Sequence, residues 1–390
     1  MASRPLLVVF LTVALDLVGF GLVIPLLAFY AESFDASPFQ VTALMACYSL
    51  AQFVAAPIWG QLSDRYGRRP ALLGSILMTA VMLAAFASSS SLWMLFLFRT
   101  LHGVMTANIA IAQACVADLT TPATRAKGMG LIGVAFGLGF TLGPLLGGEL
   151  ARISLTAPIW VAAGLSLLNF GLGVAFLPET RRPGSQFEGR TISPTALAEA
   201  IRHPVVGSCI VLTFIYILAF AAMESTFTLF AEHEHGLQPQ DVGRLFGLIG
   251  IVGAVVQGSL IGRLVKRYGE AALVPPGLVM LAVGLALLPL APIGAPLLAV
   301  FAIIAAAQGI ASPALQSLIS RGSGEHEQGK ILGSNQSMGA MARAIGPIIG
   351  GSLFARVGHG APFFASAALL LVAAGFSVRA VGRAKPAASQ

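Results

Sequence analysis

Gly60-Gln-Leu-Ser-Asp-Arg-Tyr-Gly-Arg-Arg-Pro70 is the stretch around which the chain reads most coherently. Asp64 and the arginines Arg65, Arg68 and Arg69 stand between two apolar runs, each long enough to cross a bilayer. The segment therefore reads as a short, highly charged loop at a membrane surface. Positive charge is retained on the cytoplasmic side, so this loop sets how the chain is threaded.

Composition agrees with that reading. Hydrophobic residues make up 56% of the chain and charged residues 10%, whereas soluble domains carry about 25% charged residues. At about 20 residues per span, 390 residues accommodate a dozen. Twelve apolar runs stand between polar breaks: 5–30, 40–60, 71–88, 92–115, 129–150, 157–178, 205–231, 242–262, 272–292, 296–319, 331–355 and 361–381. The expected fold is all-α, with twelve transmembrane helices. The first run is too long for a cleavable leader and contains Asp16. After the sixth run, Glu179 to His203 holds Arg181, Arg182, Arg190 and Arg202, broken by Pro183, Gly184, Gly189 and Pro194. The expected organisation is a six-helix half at 1–178, a cytoplasmic linker at 179–204 and a second half at 205–390.

With the amino terminus inside, eighteen Lys and Arg fall on cytoplasmic segments and three, Arg152, Arg244 and Arg356, on external ones. That imbalance places both termini in the cytoplasm, and the chain is expected to be a multi-pass protein of the plasma (inner) membrane. The formal charge of +7 is scattered singly through short loops, with no groove or arm for nucleic acid. Cys47, Cys115 and Cys209 lie in apolar runs and form no disulfide framework or metal motif. His233 and His235, beside Glu232 and Glu234, read as a solvated external loop. No cofactor or metal is expected, and the chain is expected to act as a monomer.

An internal repeat follows. Gly262-Arg-Leu-Val-Lys-Arg-Tyr-Gly-Glu270 matches Gly60 to Arg68 at an offset of 202, and Gly346-Pro-Ile-Ile-Gly-Gly351 matches Gly143-Pro-Leu-Leu-Gly-Gly148 at 203. Two unrelated runs at one offset imply two halves in parallel repeat. The repeat is unequal, because Lys266 replaces Asp64 and Glu270 replaces Arg68.

Charges inside spans are costly enough to be functional candidates. Asp16 lies near the middle of the first span, with Thr12 a turn before it and Gly19 and Phe20 a turn after. A carboxylate in hydrocarbon exchanges its charge for a proton readily. Glu224, flanked on its face by Phe220 and Thr228, invites the same argument, and Arg99 suits the role of counter-ion because it stays charged. Arg343 has no counterpart in the first half, where Phe140 stands. Asp64 can accept from helix N–H groups or pair with an arginine, so Gly60, Asp64, Arg65, Gly67 and Arg68 form a latch that holds while the inner face is closed. In the fifth span Gly133, Gly137, Gly139, Gly143, Gly147 and Gly148 allow close helix approach, and Pro144 bends the axis. Gln52, Asn108, Gln113, Gln257, Gln308, Gln316 and Asn335, with Phe29, Phe220, Phe227 and Phe246, are the expected lining of a substrate cavity. Arg343 joins that set.

Ten of the eleven positions from Gly60 to Pro70 resemble the signature between the second and third helices of the major facilitator superfamily. Arg99-Thr-Leu-His-Gly103 with Asn108, Gln113 and Asp118 resembles that superfamily's helix-4 signature, implicated in proton coupling, and the run from Gly133 to Gly148 resembles its antiporter signature. With Val13-Ala-Leu-Asp-Leu-Val-Gly-Phe-Gly-Leu22 and Pro313-Ala-Leu-Gln-Ser-Leu-Ile-Ser-Arg321, the likeness is to the twelve-helix drug/proton exchangers, bacterial tetracycline exporters among them. The resemblance implies export of a small amphipathic drug against proton entry, with Asp16, Asp64, Arg68 and Arg99 on positions of importance. One departure stands out: Ala71 to Ala87 and Leu273 to Leu290 lack the carboxylates such exporters carry in helices 3 and 9. Either Glu224 substitutes or the drug is not tetracycline.

Other classes fit less well. No HExxH, GxSxG or paired intramembrane aspartates occur, so an enzyme is not indicated. A carrier of another metabolite shares the fold but needs no titratable carboxylate in helix 1. A receptor or scaffold built on a dead transporter would tolerate loss of Asp16 and Arg99, and both are present.

Overall fold

The computed structural model describes residues 4–106, 108–180, 201, 203, 205–322 and 328–381. Among them, twelve helices are long and apolar enough to cross a membrane: α1 (Pro5–Glu32), α2 (Pro38–Tyr66), α3 (Arg68–Ala87), α4 (Leu92–Leu119), α5 (Gly128–Leu150), α6 (Ala157–Phe176), α7 (Val206–His235), α8 (Pro239–Tyr268), α9 (Glu270–Leu290), α10 (Ala295–Gly322), α11 (Ile331–Arg356) and α12 (Ala361–Ala380). Each of the twelve apolar runs becomes one of them. Hydrocarbon offers the backbone no partner, so a spanning segment satisfies its N–H and C=O groups by coiling on itself. The expected linker arginines Arg181, Arg182, Arg190 and Arg202, and Arg383 and Lys385 near the end, lie outside the described residues, as do the side chains of Arg4, Arg125, Lys127 and Lys330.

The stretch from Gly60 to Pro70 is not a loop. α2 continues through Tyr66 and α3 begins at Arg68, so Gly67 alone reverses the chain. Its φ of 107° and ψ of 153° belong to a region that residues with a Cβ avoid. The charged side chains are compatible with helix, and the reversal needs one glycine rather than several loop residues. The repeat holds at this level too, since Gly269, at φ 79° and ψ 157°, makes the turn between α8 and α9. His233 and His235 likewise belong to the last turn of α7 and not to a loop.

Four of the described spans are irregular, α1 tightening into a 3-10 turn at Ile24–Leu26 and α9 ending in one at Leu288–Leu290. α4 is broken at Thr106, whose ψ of 101° ends the segment Leu92–Met105 before Asn108–Leu119 resumes. The carbonyls freed by the break are taken by side chains of neighbouring helices. Trp59 donates to Val104 O at 2.7 Å, Ser75 to Met105 O at 2.8 Å and Gln52 to Thr106 O at 3.2 Å. In α8, Val256–Leu260 widens into a π-helical turn.

The chain divides into two compact units, Met1–Thr191 with Ala231–Gly250, and Ile192–Phe230 with Ile251–Gln390. The end of α7 and the start of α8 thus pack with the first unit. In that unit the core joins α1 (Val9, Val13, Leu17), α3 (Leu72, Ile76), α4 (Ile111, Cys115) and α5 (Ile132, Ala135). In the second, α9 packs against α10 and α12, and Phe227 stands edge-on to Phe301 at 4.7 Å.

Membrane helices associate by close packing rather than by expelling water, which favours small residues at the seam. A methyl added at Gly139, Gly143 or Gly147 would meet the backbone of α1 at Leu17, Gly21 and Leu22. Gly148 lies against Gln240 and Gly243 in the same way. Gly133 and Gly137 do not belong to this seam, because a Cβ on either meets nothing within 4 Å. The seam is one helical face, and those two glycines lie off it. In the second unit, Gly346 and Gly350 close on Leu218, Ala221 and Ala222 of α7, at the repeat offset of 203 from Gly143 and Gly147.

Candidate functional site

The sequence places Asp16 in mid-α1 and Arg99 on α4, and the first unit folds both against one narrow cavity of about 20 Å³. Asp16, Gly19, Phe20 and Val23 come from α1, Tyr48 from α2, Thr79 and Leu83 from α3, Arg99, His102 and Thr106 from α4, and Ser166 from α6. Such a space holds about one water molecule.

Asp16 is 9% exposed, and its carboxylate accepts a hydrogen bond of 2.6 Å from the side-chain amide of Asn108. Asn108 follows the break in α4, and its other amide atom, Oδ1, is buried with no partner among the described residues. Arg99 is 4% exposed and has no carboxylate within 4.0 Å among the described residues. Aromatic faces hold it instead: its guanidinium carbon lies 4.4 Å from the Tyr48 ring centre and 5.9 Å from that of Phe20. A cation over a π-face is attracted by the ring quadrupole. His102, one turn on, packs against the same Tyr48 ring at 5.1 Å. Gly103 makes this possible, because a Cβ there would collide with the carbonyl of Tyr48, so α2 and α4 approach to backbone contact. Charge and counter-charge thus share a cavity without touching.

A second polar cluster lies at the Gly67 end. Arg68 pairs with Asp64 at 2.6 Å and with Asp118 at 3.1 Å, and donates to Ser63 Oγ at 2.7 Å. Glu179 accepts from the backbone N–H groups of Arg68 and Arg69 at 3.0 and 3.1 Å, closing the start of α3 where the helix field favours a carboxylate. Arg65 lies over Tyr66, and a Cβ on Gly60 would meet open space. At the opposite end of the unit, Arg244 reaches Glu149 at 2.6 Å and His233 reaches Glu32 at 2.9 Å. Of these Glu32 lines a wider pocket of about 680 Å³, together with Phe29, Arg152 and Glu232.

The remaining predicted residues are spread out. In the second unit Arg343 is within electrostatic reach of Glu224 and beside Gly339. Phe220, Gln113 and Gln308 are half-buried, and Gln257 and Gln316 exposed. Gln52 serves the α4 break, and Phe227 is wholly buried against Phe301. Tyr48 and Glu179 are the residues sequence reasoning missed. A tyrosine in mid-span was the available signal for the first; for the second, only its place just after the sixth span.

A family model described as Major Facilitator Superfamily matches residues 9–347, and again 258–390. The chain belongs to the major facilitator superfamily. It is 33% identical to the class C tetracycline resistance protein of Escherichia coli over 381 residues, 95% of this chain and 96% of that one. It is 30% identical to human major facilitator superfamily domain-containing protein 10 over 95% of this chain and 91% of that relative. The crystal structure of the human organic anion transporter MFSD10 (TETRAN) superposes with a TM-score of 0.74 at 28% identity, covering 96% of this chain and 99% of that one. A bacterial homologue of the lysosomal transporter Spinster has the same fold, with a TM-score of 0.78 at 15% identity. This is therefore a multi-pass membrane protein of a transporter superfamily, built to move small molecules across a lipid bilayer.

Proposed function

We propose that the chain is a proton-coupled exporter of small amphipathic drugs, tetracycline-like compounds first among them, acting as a monomer in a bacterial plasma membrane with both termini in the cytoplasm. The supporting observation is the separation of Asp16 from Arg99 across one narrow cavity. A carboxylate locked in an ion pair has no use for a proton, whereas one held by a neutral amide next to a fixed cation can take up and release it. The 33% identity to a tetracycline resistance protein supports the drug. In this reading the inner gate is Asp64, Arg65 and Arg68 with Gly60 and Gly67, Glu224 is a second proton site near Arg343, and 1–178 and 205–390 are repeated halves joined at 179–204. The matching glycine seams on α1 and α7 support the repeat.

Everted vesicles test it. Tetracycline added to vesicles loaded with protons is expected to drive proton release, and Asp16→Asn to abolish that release while the protein remains at wild-type abundance. Continued exchange in both Asp16→Asn and Glu224→Gln rejects the coupling. A second reading, carriage of an organic anion, is favoured by the buried Arg99, which has no carboxylate partner within 4.0 Å among the described residues, and by the name of the human relative. Competition by anionic against cationic compounds separates the two.

A further inference from the structure

Glu270 and Arg321 occupy the positions of Arg68 and Asp118 in the repeat, at offsets of 202 and 203, with both charges reversed. The contact is preserved through the reversal. Arg321 Nη1 straddles the two carboxylate oxygens of Glu270 at 2.9 and 3.0 Å, and Ser317 donates to the same group at 3.1 Å. The third member is reversed as well, Asp64 becoming Lys266.

The reversal changes how each pair sits in the field of its helices. Unsatisfied N–H groups make a helix start electropositive, and unsatisfied carbonyls make its end electronegative. Arg68 opens α3 and Asp118 lies in the last turn of α4, so each is at the end that disfavours its charge. Glu270 opens α9 and Arg321 lies in the last turn of α10, so each is at the end that favours it. The first pair needs help, and Glu179 supplies the carboxylate that the start of α3 lacks. Glu270 supplies its own. Exposed ion pairs hold little on their own; Glu270 and Arg68 are equally buried, at 13% and 12% exposed, and each makes three side-chain contacts, so the helix field is what separates the two pairs.

We propose that Glu270 and Arg321 are positioning residues forming a permanent strut between the inner ends of α9 and α10, whereas the field-opposed Arg68–Asp118 pair is the tie that releases during transport. The proposal rests on the reading of Asp64 and Arg68 as a gate, but its first test does not need transport.

The test is thermal unfolding of the purified full-length chain in detergent, with tetracycline transport in liposomes as a second readout. Neutralising the strut (Glu270→Gln with Arg321→Gln) and reversing it (Glu270→Arg with Arg321→Glu) are each expected to lower Tm by about 2 °C or more. Glu270→Asp, which keeps the pair, is expected to stay within about 1 °C of the parent, showing that charge and not side-chain loss is responsible. Neutralising the first pair (Arg68→Gln with Asp118→Asn) is expected to leave Tm within about 1 °C or raise it, and to slow transport at least tenfold. The strut is overturned if the reversed pair unfolds at the parent temperature, or if neutralising Arg68 and Asp118 lowers Tm as far as neutralising Glu270 and Arg321. It is also overturned if the neutral strut variant keeps its Tm and loses transport tenfold. If the parent moves no tetracycline, the drug reading fails and the Tm comparisons still decide the strut.

Discussion

Asn108 holds the Asp16 carboxylate at 2.6 Å from a residue two positions beyond the break in α4. The break and the proposed proton site are thus one feature. An unbroken α4 would carry Asn108 further round the helix and leave the carboxylate without its donor. Asn108→Ala is expected to cut drug-driven proton exchange at least tenfold, read in everted vesicles, while Asn108→Asp, placing two acids side by side, shifts the acid dependence of exchange rather than abolishing it.

Arg99 rests on two aromatic faces. Arg99→Lys keeps the charge but loses the planar group that stacks on Tyr48. Transport by Arg99→Lys and by Tyr48→Leu is expected to fall by similar factors, and the double variant to be little worse than either, because both changes remove one contact. Additive losses in liposome uptake would show the two residues acting separately.

Gly67 makes the turn between α2 and α3 in a conformation nearly closed to other residues. Gly67→Ala is expected to cost about 1–3 kcal/mol, visible as a lower unfolding temperature. An added Cβ would also crowd the Glu179 carboxylate at 2.6 Å and loosen its hold on the start of α3. Glu179→Ala alone is expected to cost about 0.5–2 kcal/mol, the usual range for losing a helix cap.

Gly143 sits where α5 touches the backbone of α1 at Gly21. Gly143→Val is expected to wedge the helices apart and to raise passive proton leak in liposomes, while Gly133→Val, off the seam, leaves leak unchanged.

Much of the fold was legible in the residues because one physical demand dominates: apolar runs of span length, separated by charge, have few other ways to fold in lipid. The repeat was legible as well, and its offset of 203 reappears in the glycine seams. Boundaries were less so. Gly60 to Pro70 looks like a loop because charge density suggests one, yet Asp64, Arg65 and Tyr66 complete the last turn of α2. The break in α4 has neither proline nor glycine at Thr106 to announce it. It depends on Gln52, Trp59 and Ser75, donors in other helices that sequence order does not connect to it. Asp16 and Arg99 stood out as charges in hydrocarbon, whereas the ring that receives Arg99 looked like one more apolar side chain.

The wide turn at Val256–Leu260 carries a practical lesson for anyone charting α8 residue by residue. One additional residue in the coil swings everything after it by about 100°. A helical wheel drawn straight from Pro239 to Tyr268 would therefore put Arg263, Lys266 and Arg267 on the wrong side. Labels or cysteines meant to map this rod should be assigned on two separate wheels, one up to Val255 and another from Ile261.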